Sequence, residues 1–152
     1  MNNPEAVVID ASILVSISSK EAAAYLIAQN AFDIYAKNGW EFFAPNVVVG
    51  EVLFALCRKL AAGILTETEH EKAVESFLNL MKNISTPDDE TDLVERVVEI
   101  RGNYGCSRSS DGLYIALAED LAKIRTVELL TFDRGMINQT AKNAPTVTVK
   151  VL

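Results

Sequence analysis

Histidine and cysteine are almost missing from this chain. One histidine, His70, and two cysteines, Cys57 and Cys106, occur in 152 residues. A single histidine excludes a His-rich metal centre and argues against a serine–histidine–aspartate triad. Two cysteines cannot build a disulfide framework, and both read as small buried hydrophobes of a reduced, intracellular protein. Basic residues are also scarce: 14 Lys and Arg stand against 21 Asp and Glu, a formal net charge of -7. Coulomb repulsion therefore opposes broad attraction to a polyanion. Nucleic acid would have to be met through a local basic rim or a bound cation. Four prolines and seven glycines form no linker, and no repeat or low-complexity tract appears. The one apolar stretch near the N-terminus, Ala6 to Ile17, is broken by Asp10 and two serines and is too short to span a bilayer. The first residues lack the positive charge of a signal peptide, so a cytoplasmic protein without membrane partners is expected.

What is present suits one globular domain, residues 1–152. The hydrophobic share is 49% and the charged share 23%, enough to exclude disorder for the bulk of the chain. A chain of this length buries about 70% of its unfolded surface, so it can hold a full core without staples.

Ala6-Val7-Val8-Ile9 reads as a short buried strand that meets Asp10. Ser18 to Glu21 fits a capping box opening a helix to about Lys37, with Gly39 as its stop. Trp40 to Ala44 reads as a second strand. Asn46 then caps a helix that ends at Gly63, and Thr66 to Glu69 forms another capping box for a helix to about Asn83. Ile84-Ser85 is a brief third strand. Thr86-Pro87 opens a helix to about Asn103. Ser109 or Ser110 caps an apolar helix to about Lys123, Val127 to Phe132 is a strand that meets Asp133, a short helix follows, and Val147 to Leu152 is the last strand. Cys57 falls with Val52, Ala55, Leu56 and Leu60 on an apolar stripe, which predicts core. Phe32, Tyr35, Phe54 and Phe77 read as core or dimer contacts. Short buried strands alternating with helices predict an α/β fold with a parallel sheet covered on both faces. Ligands in such folds sit beyond the carboxyl ends of the strands, where the strand order reverses.

Four acids fall where that edge is expected. Asp10 and Asp133 close two strands, Glu51 lies early in the helix after the second strand, and Asp111 opens the helix before the fourth. Carboxylates gathered at one place repel, by ~1 kcal/mol per pair at about 4 Å in water and several-fold more at a dielectric near 20. No lysine or arginine in the pattern is an obvious buried partner. A hard divalent cation, Mg²⁺ or Mn²⁺, would neutralise them and would supply the chemistry of phosphodiester hydrolysis.

These residues carry a resemblance. Val7-Val8-Ile9-Asp10-Ala11-Ser12, Pro45 to Val52 around Glu51, Ser109 to Ala118 around Asp111, and Leu130-Thr131-Phe132-Asp133-Arg134 stand in the order and spacing of a PIN domain. Within that group the chain resembles the VapC-type toxin ribonucleases over essentially its whole length. The resemblance implies a PIN-like three-layer α/β/α fold with a five-stranded parallel sheet. It implies metal-dependent cleavage of RNA, single-stranded or transfer RNA among the candidates, leaving a 5′-phosphate and a 3′-hydroxyl. Carried over position by position, the family's acidic residues fall on Asp10, Glu51, Asp111 and Asp133. Asp10 and Asp111 would hold Mg²⁺ or Mn²⁺ directly, with Glu51 and Asp133 acting through waters or a second ion. Ser12 matches the small polar residue that supports the metal water. Arg108 and Arg134 flank two of the acids and can reach phosphates beside the scissile one. The resemblance also implies a homodimer and a cognate basic antitoxin, a partner that suits the acidic charge. Met136 stands where the family often has an aromatic.

Other readings fit less well. Ala11-Ser12-Ile13-Leu14-Val15 after the first strand is neither a dinucleotide-binding nor a P-loop sequence. An aspartyl phosphatase wants a second acid where Ser12 stands. A receiver domain wants an acidic pair where Val8 and Ile9 stand, and a metal-dependent adhesion module wants serine where Leu14 stands. The remaining alternative is a catalytically weak or inactive PIN fold acting as an interaction module.

Overall fold

The computed structural model describes residues 3–104 and 109–152. The elements follow in the order β1 (Ala6–Ile9), α1 (Ala11–Ser19), α2 (Ala22–Lys37), β2 (Glu41–Phe43), α3 (Val47–Ala61), α4 (Glu67–Met81), β3 (Ile84–Ser85), α5 (Thr91–Tyr104), α6 (Ser109–Ala122), β4 (Val127–Thr131), α7 (Gly135–Asn143) and β5 (Thr148–Val151). The five strands form one sheet in the order β3-β2-β1-β4-β5, and every pairing is parallel. This is the α/β architecture the strand–helix alternation predicts. No single described helix is long and apolar enough to cross a membrane.

β1 lies at the centre because all four of its side chains are apolar and completely buried. A strand buried on both faces needs a continuous apolar run rather than alternation. β2 leaves on one side of β1 and β4 on the other, so the strand order reverses between β1 and β4. Their register pairs Ile9 with Leu130, and the ladder continues one step further, from the Asp10 N–H to the Leu130 carbonyl at 3.0 Å. Asp10 thus leaves the sheet beside Thr131, at the edge where β4 also ends.

The chain turns into α1 directly after Asp10, which is the main departure from the predicted elements. A capping box at Ser18–Glu21 does not form. Ser18 and Ser19 are instead the last residues of α1, and Lys20 closes it in the left-handed region at φ 52. Ala22 begins α2 at φ 35, and the two helix axes bend by 115° between them. Both residues carry a Cβ in a region that favours glycine, so the corner is strained. Glu21 pins it: its carboxylate accepts from Ser16 Oγ at 3.3 Å and pairs with Lys59 on α3. The physical reason α1 is hard to see is its burial. Seven of its nine residues are buried, so it has no polar face and no helical period.

Two other predicted caps are replaced by longer contacts. Asn46 makes no side-chain cap. Its Nδ2 donates to the Pro87 carbonyl at 2.8 Å and its N–H to Glu90 at 2.6 Å, tying the start of α3 to the loop before α5. That helix begins not at Pro87 but at Thr91, where Asp89 Oδ1 accepts from the Thr91 N–H at 2.8 Å and from its hydroxyl at 2.6 Å. The Thr66–Glu69 capping box forms as predicted, with both reciprocal bonds present at 3.2 and 2.8 Å. Gly39 and Gly63 stop their helices at φ 78 and 71, where a side chain would be strained.

Cys57 is exposed, contrary to the core reading. α3 buries Val48, Val52 and Leu56, at i, i+4 and i+8, and Cys57 lies one residue, about 100°, past that line. Phe54, midway between Val52 and Leu56, faces the opposite side of α3 and is 65% exposed, whereas Phe32, Tyr35 and Phe77 are buried. Cys106 lies outside the described residues. The register of α3 fixes where Glu51 points, so it is worth testing. Leu56→Ala should cost about 2–5 kcal/mol by loss of a fully buried side chain. The neighbouring Cys57→Ala should stay within about 0.5 kcal/mol, and urea unfolding of both variants checks the pair.

Candidate active site

Asp10 is 8% exposed and is the best-held acid of the site. Its Oδ2 accepts from Ser12 Oγ at 2.8 Å and from Thr131 Oγ1 at 2.7 Å. These hydroxyls belong to the first turn of α1 and the last residue of β4, the two elements that flank Asp10. Ser12 Oγ also accepts the Phe132 N–H at 3.2 Å, and Thr131 Oγ1 accepts the Asp133 N–H at 2.9 Å. The bonds therefore pass from the β4 exit through two hydroxyls to one carboxyl oxygen. Burial nonetheless pushes the Asp10 pKa above the usual carboxylate value. The Thr131, Ser12 and Ala11 donors offset part of that push, and the negative charge of Asp133 adds to it.

Glu51 sits on α3, half-buried, and Oε1 accepts the Tyr114 hydroxyl at 2.9 Å. Burial raises its pKa as well, the Tyr114 bond lowers it, and the charges of Asp10 and Asp111 raise it further. Asp111, half-buried near the start of α6, accepts from Gln139 Nε2 at 3.3 Å through Oδ2. Asp133 is exposed and folds its Oδ1 back onto the Gly135 N–H at 2.8 Å, an Asx turn that opens α7. Asp133 and Asp111 thus each raise a neighbour's pKa by their charge, and Asp10 links the two through Glu51. The four predicted acids form one electrostatically connected group at the carboxyl edge of the sheet.

A cleft of about 430 Å³ opens beside Glu51, the one of the four acids that lines it, with Ser12, Glu21, Phe132 and other α1 and α2 residues. A larger cavity, about 1110 Å³, lies over the α1–α2 corner against Ile64, Leu65 and Lys72 and contains none of the four acids. Glu51, desolvated and beside other negative charge, lies in the smaller cleft and not the larger.

Among the described residues, no lysine or arginine pairs with Asp10, Glu51 or Asp133. Nor do any three acids, histidines or cysteines among the described residues surround a ready-made ion cage. The donor set nevertheless fits a hard divalent cation. It is all carboxylate oxygen, and at Asp10 and Glu51 it is backed by neutral hydroxyls. Arg134 is exposed beside Asp133. Arg108 lies outside the described residues, as do the side chains of Tyr104, Ser109 and Ser110.

Three side chains at this site escape the sequence reading: Thr131, Tyr114 and Gln139. Thr131 had a signal, since a hydroxyl two residues before a strand-end acid can turn toward the sheet edge. Tyr114 and Gln139 had none, because each reaches an acid 63 or 28 residues away. Of the two helix glycines beside the acids, Gly112 packs tightly: an added Cβ would lie 3.2 Å from Val97 Cγ1 on α5. Gly50 meets nothing within 4 Å.

A model of the PIN domain family matches residues 7–143. No curated protein sequence matches the chain. Several solved structures share its fold. VapBC2 from Rickettsia felis, bound to a DNA fragment from their promoter, superposes with a TM-score of 0.65 at 13% identity, covering 96% of this chain and 98% of that one. FitAcB from Neisseria gonorrhoeae gives 0.59 at 15% identity, covering 94% and 95%. PAE2754 from Pyrobaculum aerophilum gives 0.55 at 16% identity, covering 88% and 83%.

The desolvated Asp10 sets a stability cost that can be measured without any substrate. Its folded pKa lies above the unfolded value of 3.8, so the folded state holds the proton more tightly. Stability is then greatest with Asp10 protonated and falls as pH rises through the folded pKa. Asp10→Asn keeps an oxygen for Ser12 and Thr131 and removes the charge. With chelator present, its melting temperature should exceed that of the wild type in mildly alkaline buffer. The advantage should shrink in acid. A lower melting temperature at both pH values would show that Asp10 is not a net destabiliser.

Proposed function

Since the chain belongs to the PIN domain family, whose members are generally nucleases, we propose that it is a Mg²⁺- or Mn²⁺-dependent endoribonuclease and the toxin of a toxin–antitoxin pair. The observation that carries the reading is the group of Asp10, Glu51, Asp111 and Asp133, linked by mutual repulsion and without a basic partner for Asp10, Glu51 or Asp133 among the described residues. A purely structural site would not gather Asp10, Glu51 and Asp133 at a desolvated strand end with no described base paired to them.

In this reading Asp10 and Asp111 are the direct ligands, and Glu51 and Asp133 complete the site through water or a second ion. A divalent cation bound there supplies an activated water and neutralises charge on the phosphoryl oxygens. Ser12 and Thr131 fix the rotamer of Asp10 by donating to the same oxygen. Arg134, exposed beside Asp133, contacts a neighbouring phosphate of the strand, and Arg108 is given the same role. The chain's own charge does not attract RNA at long range, so affinity should depend on the cation and on these few bases. A basic antitoxin segment is the partner that suits this acidic edge. A homodimer and a cytoplasmic location complete the reading.

The test is cleavage of a panel of single-stranded and transfer RNAs with Mg²⁺, Mn²⁺ or EDTA. Wild type and Asp10→Asn are purified identically under conditions that strip any bound inhibitor. Cleavage should require the metal and should fall at least about 100-fold in Asp10→Asn, the scale of losing a group that acts on the transition state. Equal cleavage by both proteins would identify a contaminant. Absence of cleavage by the stripped wild type would overturn the nuclease reading in favour of an inactive PIN-fold interaction module.

A further inference from the structure

Two buried side chains outside the four acids hold two of them in place. Tyr114, on α6 and completely buried, donates its hydroxyl to Glu51 Oε1 at 2.9 Å. Gln139, on α7 and 1% exposed, donates its amide to Asp111 Oδ2 at 3.3 Å. Neither residue can touch a substrate, because neither reaches the surface. Each joins a helix of the second half of the chain to one carboxylate.

Gln139 is informative because its bonding is one-sided. The amide Nε2 reaches Asp111, while the buried Oε1 has no hydrogen-bond partner. An amide carbonyl left dry costs about 1–3 kcal/mol. A methionine of similar length would fill the same space without that cost. Core packing alone therefore does not account for a glutamine here, and its side chain donates to Asp111. α7 itself is anchored independently: Arg96 on α5 forms a two-pronged pair with Glu119 on α6, at 2.8 and 3.2 Å, and donates to the Asn143 carbonyl at the end of α7. The helix does not need Gln139 to stay in place.

Tyr114 makes the matching argument by position. Its ring packs in the core, and only the hydroxyl meets a charge. Removing that hydroxyl leaves the packing intact and frees the Glu51 carboxylate, which is half-exposed and can turn to water.

We propose that Tyr114 and Gln139 are positioning residues that fix the carboxylates of Glu51 and Asp111 for a divalent cation. This rests on the metal-dependent reading above. Groups that orient ligands from behind typically carry a 10–100-fold share of metal affinity.

The test is Mn²⁺ titration by calorimetry of the full-length wild type, Tyr114→Phe and Gln139→Met, with thermal melts in chelator. Tyr35→Phe is the control, since it also deletes a buried tyrosine hydroxyl bonded to a glutamate, Glu128, but away from the four acids. The Mn²⁺ Kd should rise about tenfold or more in Tyr114→Phe and Gln139→Met and stay within about twofold in Tyr35→Phe. The metal-free melting temperature of Gln139→Met should equal or exceed that of wild type. Wild-type Mn²⁺ affinity in both site variants would overturn the inference and leave the metal reading standing. A loss as large in Tyr35→Phe, or a Gln139→Met that does not fold, would assign the effect to the core and overturn it as well. A wild type that binds no Mn²⁺ would remove the metal reading and this inference together.

Discussion

Asp10 follows a strand whose four side chains are wholly buried, so its carboxyl must lose water wherever the sheet forms. A free carboxylate in that position would cost several kcal/mol or keep its proton. The fold answers with neutral donors rather than a base. Ser12 comes from the helix after Asp10 and Thr131 from the neighbouring strand, and both reach one oxygen. Both hydroxyls also accept a backbone N–H from the β4 exit. The direction of their donated protons is thereby set, and Asp10 is held at the reversal of strand order. The rest of the site is arranged around this point. Glu51 feels the charge of Asp10 and of Asp111, and Asp10 feels that of Asp133.

The chain is short of bases, and where it uses them is telling. Arg96 is committed to Glu119 and Glu99, Arg125 to Glu41, Lys123 to Asp120 and Lys59 to Glu21. Each of these pairs joins neighbouring elements or stays within one helix. Arg96 links α5, α6 and α7, and Arg125 also lies over the Phe43 ring at 5.3 Å. Such partly exposed pairs are worth little individually, and none of them involves Asp10, Glu51 or Asp133.

How much of this was legible follows from the range of each interaction. Strands that end at acids, the all-parallel sheet and the Thr66–Glu69 box are written in runs of four to six residues, and they appear where predicted. α1 was not legible because a helix buried on every side has no period to read. α5 starts four residues after Pro87, where Asp89 accepts from both the Thr91 N–H and its hydroxyl, a contact that the Thr86-Pro87 pattern does not reveal. Asn46 looked like a cap, yet its donors are drawn to Pro87 and Glu90, about 40 residues away. Cys57 was misassigned by a single step around α3. The four acids could be placed because strand ends and helix starts are local features. Tyr114 and Gln139 could not, since nothing near them in sequence says which carboxylate they will meet.

The misread and unread residues share a physical trait. Local rules predict the arrangement that is cheapest for a short segment, and several of these residues break such rules. Lys20 and Ala22 occupy left-handed backbone without being glycine. Asp10 is a desolvated acid beside another acid, and Gln139 leaves half its amide dry. In a stable domain, departures from local economy cluster where another demand competes with stability. Packing explains the interior of this protein without these features. Gln139 reaches Asp111 directly, Asp10 is itself one of the four acids, and the Lys20–Ala22 corner borders the larger cavity while Glu21 between them also lines the cleft at Glu51.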